Sequence, residues 1–113
     1  MSNYPHLFTP IDLNGMKLAN RMVLTAMVTR LSGTDGYVNQ DIIDRYVRFA
    51  MGEVGLIVVE ASAVHGARSG QLLRMSEERF IAGHREMVNR VHNSSSTSQP
   101  FVASHCAKSS KSE

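Results

Sequence analysis

The first candidates for chemistry in this chain are its histidines and its single cysteine. His84 and His92 fall on one amphipathic segment, but their spacing is neither three nor four residues, so a helix cannot present both to one metal ion. His105 and Cys106 are adjacent, yet no carboxylate stands near them to complete a nucleophilic or metal-binding group. We therefore predict no metal site and assign no catalytic residue from these side chains.

Glycine-rich phosphate loops of the usual kinds do not occur where they would be expected. Residues 25–30, Thr-Ala-Met-Val-Thr-Arg, follow the first apolar run, where a dinucleotide-binding protein carries Gly-x-Gly-x-x-Gly. Residues 66–70, Gly-Ala-Arg-Ser-Gly, lack the Gly-Lys-Ser/Thr ending of a phosphate loop. The pattern excludes a dinucleotide-binding turn of the usual kind after the first strand.

Apolar runs predict the strands that must position any such site. Asn14-Gly15, flanked by apolar residues, predicts a type I′ turn in a hairpin over residues 8–21. Residues 22–27 and 55–61 are nearly continuous apolar runs, which are typical of parallel strands buried on both faces. Residues 101–104, Phe-Val-Ala-Ser, are a candidate third strand.

Two amphipathic helices are predicted between these strands. Asn39 is an N-cap candidate, and apolar residues at three- and four-residue spacing follow it until Gly52 or Gly55 ends the helix. Ser76 is the N-cap predicted for the second helix, whose first acidic residues suit the positive end of the helix dipole. Loop or tail composition is found over residues 62–75, 93–100 and 107–113.

The predicted order is a hairpin over residues 8–21, then β-α-β-α-β over residues 22–106, then a polar tail from residue 107. Strands separated by helices pair in parallel through right-handed crossovers. Two α/β architectures fit this order: an open Rossmann-like sheet and the opening third of a (β/α)₈ barrel. We predict that residues 1–113 form one such domain, without choosing between the two architectures from the pattern alone.

Composition excludes several broad classes of protein. The 113 residues are 42% hydrophobic and 19% charged, and 12 basic against 10 acidic residues leave a net charge of +2. That charge is too small for a nucleic-acid-binding arm, and no apolar run approaches the roughly 18 residues of a membrane span. The first residues do not resemble a signal peptide, and one cysteine forms no internal disulfide, so we expect a cytoplasmic location.

Short segments in a fixed order along residues 7–92 are distinctive when taken together. They are Leu7-Phe8-Thr9-Pro10, Leu18-Ala19-Asn20-Arg21-Met22-Val23-Leu24, Ala26-Met27, Asp35-Gly36, the run Gly55-Leu56-Ile57-Val58-Val59-Glu60-Ala61-Ser62-Ala63-Val64, Ile81-Ala82-Gly83 and Val91-His92. In this order and spacing they resemble the N-terminal part of the old yellow enzyme family of FMN-dependent NAD(P)H:flavin oxidoreductases. That family includes the ene-reductases and the 2,4-dienoyl-CoA reductases.

The resemblance implies a TIM (β/α)₈ barrel that holds FMN non-covalently at the carboxyl ends of its strands. In such relatives the end of the first strand lies against the flavin, which implies Ala26, Met27 and Val28 as cofactor-binding residues. The end of the second strand contributes Ala61, where a larger side chain would occupy the volume of the flat isoalloxazine ring. The implied reaction transfers hydride from NAD(P)H through the flavin to an activated C=C bond of a small-molecule substrate.

Several of these residues also have a simpler interpretation. Met27 could simply fill the barrel core, and Ala61 could be an ordinary buried small residue. Glu60, at the end of an apolar strand, is either a hydrogen-bonding residue behind the cofactor or half of an ion pair with Arg21 or Arg68. The sequence leaves these alternatives open.

The chain departs from the family's pattern at two places. Relatives often carry Thr or Cys where Val28 stands, and valine cannot donate a hydrogen bond to the flavin carbonyl. Losing about 1–3 kcal/mol from such a bond lowers a two-electron reduction potential by about 20–60 mV, unless Thr29 or a backbone N–H substitutes. The family also ends its third strand with a Gln that is missing here, although His105 occupies a plausible place for the residue after it.

Length limits what this chain can do by itself. A (β/α)₈ barrel typically takes about 250 residues, and the resemblance implies that the substrate-holding, proton-donating and phosphate-binding residues lie beyond residue 113. We therefore expect an incomplete barrel that carries part of an FMN site and reduces nothing alone. The alternative is a non-catalytic remnant or interaction module, which would pair with a complementing chain or with a second copy of itself.

Overall fold

A computed structural model describes residues 3–66, 70–94 and 101–107. The loop predicted at 93–100 is wrong at residues 93 and 94, which belong to a helix, and the tail predicted from residue 107 is wrong at Ala107, which belongs to a strand. The rest of both segments lies outside the described residues. The described residues form α/β structure with parallel strands, as the sequence predicts.

The chain opens with the predicted hairpin, in which β1, Ile11–Leu13, pairs antiparallel with β2, Met16–Leu18. The turn residues Asn14 and Gly15 have φ angles of 52° and 92°, the left-handed values that a type I′ turn requires. The Gly15 amide also donates to the Asp12 carboxylate at 2.7 Å. Local side-chain chemistry therefore sets this turn.

Helix α1 spans Gln40–Met51 and has the ends that the sequence predicts. The Asn39 side chain accepts a hydrogen bond from the Ile42 amide at 3.1 Å, which satisfies one free donor of the first turn. Gly52 closes the helix, and its amide donates to the carbonyls of Ala50 and Arg48. The buried stripe of α1 consists of Ile42, Ile43, Tyr46 and Ala50.

The second helix begins later than predicted. Helix α2 spans Ile81–Ser94, and a short 3₁₀ helix over Glu78–Phe80 precedes it. Ser76 is therefore not its N-cap. The tighter 3₁₀ turn accompanies burial of Phe80, whose ring lies 4.8 Å from that of Tyr37 between ring centroids. The Ser76 hydroxyl, which is buried without a hydrogen-bond partner among the described residues, caps neither helix.

The sheet is built on β4, Leu56–Ala63, which pairs in parallel with β3, Val23–Leu24, on one side and with β6, Phe101–Ala107, on the other. Beyond the end of β3, the short strand β5, Leu73–Arg74, pairs with the last residues of β4. The prediction of a loop throughout 62–75 is therefore wrong at both ends.

The strand predicted over 22–27 pairs only at Val23 and Leu24. The pairing does not continue through residues 25–27, although the nearly continuous apolar run does. On the other side of β4, the pairing with β6 shifts register between Val59 and Ser62, so both irregularities lie toward the carboxyl ends of these strands.

Helix α1 packs against β4, and α2 packs against α1. The core they enclose consists of buried apolar residues from α1, β4, β5 and α2, namely Ile42, Ile43, Tyr46, Ala50, Ile57, Val59, Leu73, Met87 and Val91. On the opposite face of β4, the alternate residues Leu56 and Val58 remain partly exposed. Neither α1 nor α2 is long and apolar enough to cross a membrane.

Candidate functional site

The carboxyl ends of β3 and β4 lie at the same edge of the sheet because the two strands are parallel. Ala26, Met27 and Val28 follow β3 at this edge, and Ala61 lies near the end of β4. We call these four residues the shelf. Met27 is 58% and Val28 46% exposed, whereas Ala61 is only partly exposed. Met27 and Val28 are therefore accessible in the part of the chain that the structure describes, and both interpretations of Met27 stay open.

The backbone of the shelf also has free hydrogen-bonding capacity. No hydrogen bond joins residues 26–28 to any other described residue. Three exposed residues, two of them large and apolar, therefore present both hydrophobic side chains and unpaired peptide groups at one edge of the sheet. A flat ring with an apolar face and a polar rim matches this combination, since it can cover the side chains and bond the peptides.

An open cavity adjoins the shelf. It has a volume of about 540 Å³ and is lined by Val28, Arg30, Gly70, Gln71 and Leu72. Arg30 has a φ angle of 62°, a left-handed conformation that is uncommon for a residue with a side chain. Such conformations persist where the surrounding structure enforces them, and they are enriched at binding sites.

Glu60 lies directly before Ala61 and is completely buried. Its carboxylate accepts hydrogen bonds from the Thr29 amide at 3.2 Å and from the Thr29 hydroxyl at 2.9 and 3.0 Å. The Tyr46 hydroxyl donates to the same carboxylate at 3.2 Å and accepts the Glu60 amide at 2.9 Å. We call these three residues the Glu60 network.

The Glu60 network answers part of a question that the sequence left open. The described partners of the Glu60 carboxylate are two hydroxyls and an amide, and Arg21 is not among them. An ion pair with Arg68 stays untested, because Arg68 lies outside the described residues. Sequence patterns single out Glu60 but do not identify Tyr46 as its partner. A tyrosine within a buried helical stripe was the available signal, since a buried hydroxyl requires a hydrogen-bonding partner.

Burial, together with the adjacent Glu60 carboxylate, raises the pKa of the Tyr46 hydroxyl from 10.0 to about 12. Removing the phenolic proton would place a second negative charge beside a buried carboxylate. Tyr46 is therefore a hydrogen-bond donor at every physiological pH.

The other candidates from the sequence do not gather at this site. His84 lies on α2, where its ring bonds the Arg74 carbonyl at 3.2 Å, and His65 is exposed after β4. The side chains of His105 and Cys106 lie outside the described part of the chain. Among described residues, no cluster of three histidine, cysteine or acidic side chains could hold a metal ion.

Parallel strands joined by helices define an α/β fold, and in proteins of this class ligands commonly bind at the carboxyl edge of the strands. Residues 6–102 match the model of the NADH:flavin oxidoreductase / NADH oxidase family. The chain belongs to this family, whose cofactor is FMN and whose electron donor is NAD(P)H.

Curated relatives agree with this assignment. The chain is 35% identical over 96 residues to NADH oxidase of Thermoanaerobacter brockii, an alignment that covers 82% of this chain and 15% of the relative. It is 38% identical over 88 residues to NADPH dehydrogenase of Bacillus subtilis strain 168, covering 75% of this chain and 26% of the relative. The chain thus spans about a quarter or less of the length of these relatives.

Solved structures establish the fold. The old yellow enzyme from Trypanosoma cruzi superposes with a TM-score of 0.80 at 20% identity, over 95% of this chain and 28% of that one. A 2-naphthoyl-CoA reductase superposes with a TM-score of 0.81 at 21% identity, over 91% of this chain and 16% of that one. The described residues are therefore an incomplete TIM barrel, which decides between the two architectures that the element order allows.

Proposed function

We propose that this chain is the N-terminal, FMN-binding part of an oxidoreductase that passes hydride from NAD(P)H to an activated C=C bond of a small molecule. The observation that carries the proposal is the shelf, which exposes Met27 and Val28 beside Ala61 at the carboxyl edge of a barrel sheet. Family membership supports the cofactor and the electron donor. When bound, FMN supplies the acceptor and donor of hydride.

The chain's own residues would seat the ring. Met27 and Val28 present apolar side chains that exclude water from one face, and the unpaired peptide groups of residues 26–28 provide hydrogen bonds to its polar rim. Ala61 leaves room because its side chain is a single methyl group. The residues that hold substrate and move protons are not assigned to this chain, so we propose no turnover by the shelf alone.

Titration of the purified 113-residue chain with FMN tests the proposal, read out by quenching of flavin fluorescence. We expect binding by the wild type and at least a tenfold weaker affinity in Ala61→Leu, because the larger side chain enters the volume of the ring. Ala82→Leu is the matched control, since Ala82 is exposed on α2 and is not one of the shelf residues. Unchanged affinity in Ala61→Leu, or equal losses in both variants, contradicts the proposed site.

A second candidate function is supported by the open side of the sheet. In the described residues, β6 pairs with β4 alone, so its other edge carries unpaired backbone groups. On the opposite face of β4, Leu56 and Val58 are partly exposed. These surfaces favour an interaction module that binds a complementing chain or a second copy, and this role is compatible with FMN binding.

Light scattering and flavin absorbance distinguish the two functions. A chain that takes up FMN near one equivalent supports a cofactor-binding unit, whether it is a monomer or an oligomer. A colourless chain that is stable only as an oligomer, or only with a partner, supports the interaction module. We also propose a cytoplasmic location, which cell fractionation checks.

A further inference from the structure

The backbone pairing between β3 and β4 covers only two residues of each strand. The two strands pair at Val23–Leu56 and Leu24–Ile57, and the described backbone pairing ends there. The shelf residues 26–28 come next and make no hydrogen bond with other described residues. Something other than a strand ladder must therefore fix where this segment lies relative to β4.

The Glu60 carboxylate supplies that connection. Both carboxylate oxygens of Glu60 accept hydrogen bonds from Thr29. Oε2 accepts from the Thr29 amide and hydroxyl, and Oε1 accepts from the hydroxyl alone. Hydrogen bonds to a charged acceptor are roughly twice as strong as neutral ones. Thr29 directly follows the shelf segment, and Glu60 directly precedes Ala61, so one side chain joins the two halves of the shelf.

Tyr46 holds the connecting side chain in place. Its hydroxyl donates to the Glu60 carboxylate and accepts the Glu60 amide, so it contacts both ends of the same residue. Tyr46 lies on α1 and is 2% exposed, which makes it part of the rigid core. The register shift between Val59 and Ser62 covers the position of Glu60, and bulges of this kind redirect side chains near sites.

We propose that Glu60 is a positioning residue for the FMN site, acting through Thr29 to set the gap between residues 26–28 and Ala61. This inference rests on the proposed function. Glu60 acts on the shape of the shelf, and its charge is already committed to Thr29 and Tyr46. Hydrogen exchange of the FMN-free chain reports the connection, and FMN affinity reports its purpose.

The decisive comparison is Thr29→Val against Thr29→Ser. Valine keeps the shape and the amide but removes the hydroxyl, whereas serine keeps both donors. The Thr29 amide donates to Glu60, and the Leu31 amide donates to the Thr29 hydroxyl. We expect amide exchange at residues 29 and 31 to be about tenfold faster in Thr29→Val and unchanged in Thr29→Ser, while the α1 amides stay protected in both. Thr34→Val is the matched control, because Thr34 is exposed and has no hydrogen bond to another described residue.

A second variant addresses the carboxylate itself. Glu60→Gln keeps the size of the side chain but directs an amide NH₂ toward the donors of Thr29, so exchange at the Thr29 amide should rise about tenfold. FMN affinity should fall about tenfold in both Glu60→Gln and Thr29→Val, and should recover in Thr29→Ser.

Each result has a separate meaning. Equal exchange in the wild type and in both disrupting variants overturns the connection. Faster exchange with unchanged FMN affinity overturns the positioning role. A wild-type chain that binds no FMN, while its Thr29 amide is protected, overturns the proposed function instead.

Discussion

Tyr46 and Glu60 are a buried pair of residues joined by two hydrogen bonds. Glu60 is fully buried, and its described partners are hydroxyls and an amide that donate to it. A buried carboxylate is costly unless its oxygens are satisfied. The network therefore stabilises the fold at the point where the shelf begins, and its loss affects stability and site geometry together.

Because folding raises the pKa of Tyr46, the free energy of unfolding of the chain decreases at alkaline pH. Its pKa is about 12 in the folded chain, against 10.0 without the fold. The contribution of the neutral phenol is fully present below pH 10 and is lost as pH rises through 12. We expect the free energy of unfolding to fall by roughly 2 kcal/mol across this range.

Urea denaturation at about pH 9 and at about pH 11.5 measures this dependence. Tyr46→Phe should lose most of the alkaline slope and be less stable at neutral pH by about 1–2 kcal/mol. Tyr4→Phe is the control, because Tyr4 is an exposed tyrosine. An alkaline slope that persists in Tyr46→Phe would assign the effect to other groups.

At the scale of elements, the first turn of α1 depends on Asn39. Its Oδ1 accepts the Ile42 amide at 3.1 Å, and its Nδ2 donates to the Leu31 carbonyl at 2.6 Å. One side chain thus caps the helix and ties it to the preceding loop. The cap therefore orders the connection between the shelf segment and the core.

Replacement of this cap should have a measurable cost. We expect Asn39→Ala to lower the free energy of unfolding by about 1–2 kcal/mol, and Asn39→Ser by less, because serine retains a capping oxygen. Thermal or urea denaturation measures both. Gln40→Ala is the control at the next residue, where only an exposed bond to Asp44 is lost. Equal effects at the two positions would contradict the capping role.

Patterns with a local cause were predicted well from the sequence. The Asn14-Gly15 turn, the Asn39 cap and the end of α1 at Gly52 all depend on residues close in the chain. The predicted start of α2 was wrong: a 3₁₀ turn precedes the helix, and its Phe80 packs against Tyr37, which is distant in the chain. Local propensity is overridden where tertiary packing decides the backbone.

The candidate site was predicted in part. The family resemblance identified the shelf, and the structure places its residues at the carboxyl edge of the sheet, although FMN contact stays a prediction. The departure of residues 25–27 from β4 was not foreseen, since their apolar character matches that of a paired strand. Nor does a pattern of residue types reveal that Thr29 meets Glu60 across the fold. The effect of Val28 on the flavin potential also stays a prediction.

At the scale of the molecule, the chain is less compact than its length allows. Its radius of gyration is 15.4 Å, whereas about 13 Å is typical of a domain of this size. The described part of the sheet is covered by helices on one face and ends in an open β6 edge. Both features agree with a part of a barrel that lacks the other strands.

The open edge predicts self-association of the isolated chain. Light scattering should give an average mass above the 12.5 kDa of a monomer, rising with concentration. Ala103→Lys should reduce this mass, because a lysine on an edge strand disfavours pairing with another strand. Ala82→Lys adds the same charge on α2 and is the control. A monomer at all concentrations would show that the β6 edge is protected.

The early end of the β3–β4 ladder has a consequence for how this site can change over evolutionary time. If backbone hydrogen bonds between strands fixed the gap between residues 26–28 and Ala61, only a shift of whole strands could change it. Such a shift would disturb every neighbouring strand. In the proposed role of Glu60, the width of this gap depends instead on the length and polarity of the Glu60 side chain and on the hydroxyls that bond it. Substitutions at Glu60 and its partners can therefore change the shape of the binding site while the strands of the barrel keep their register.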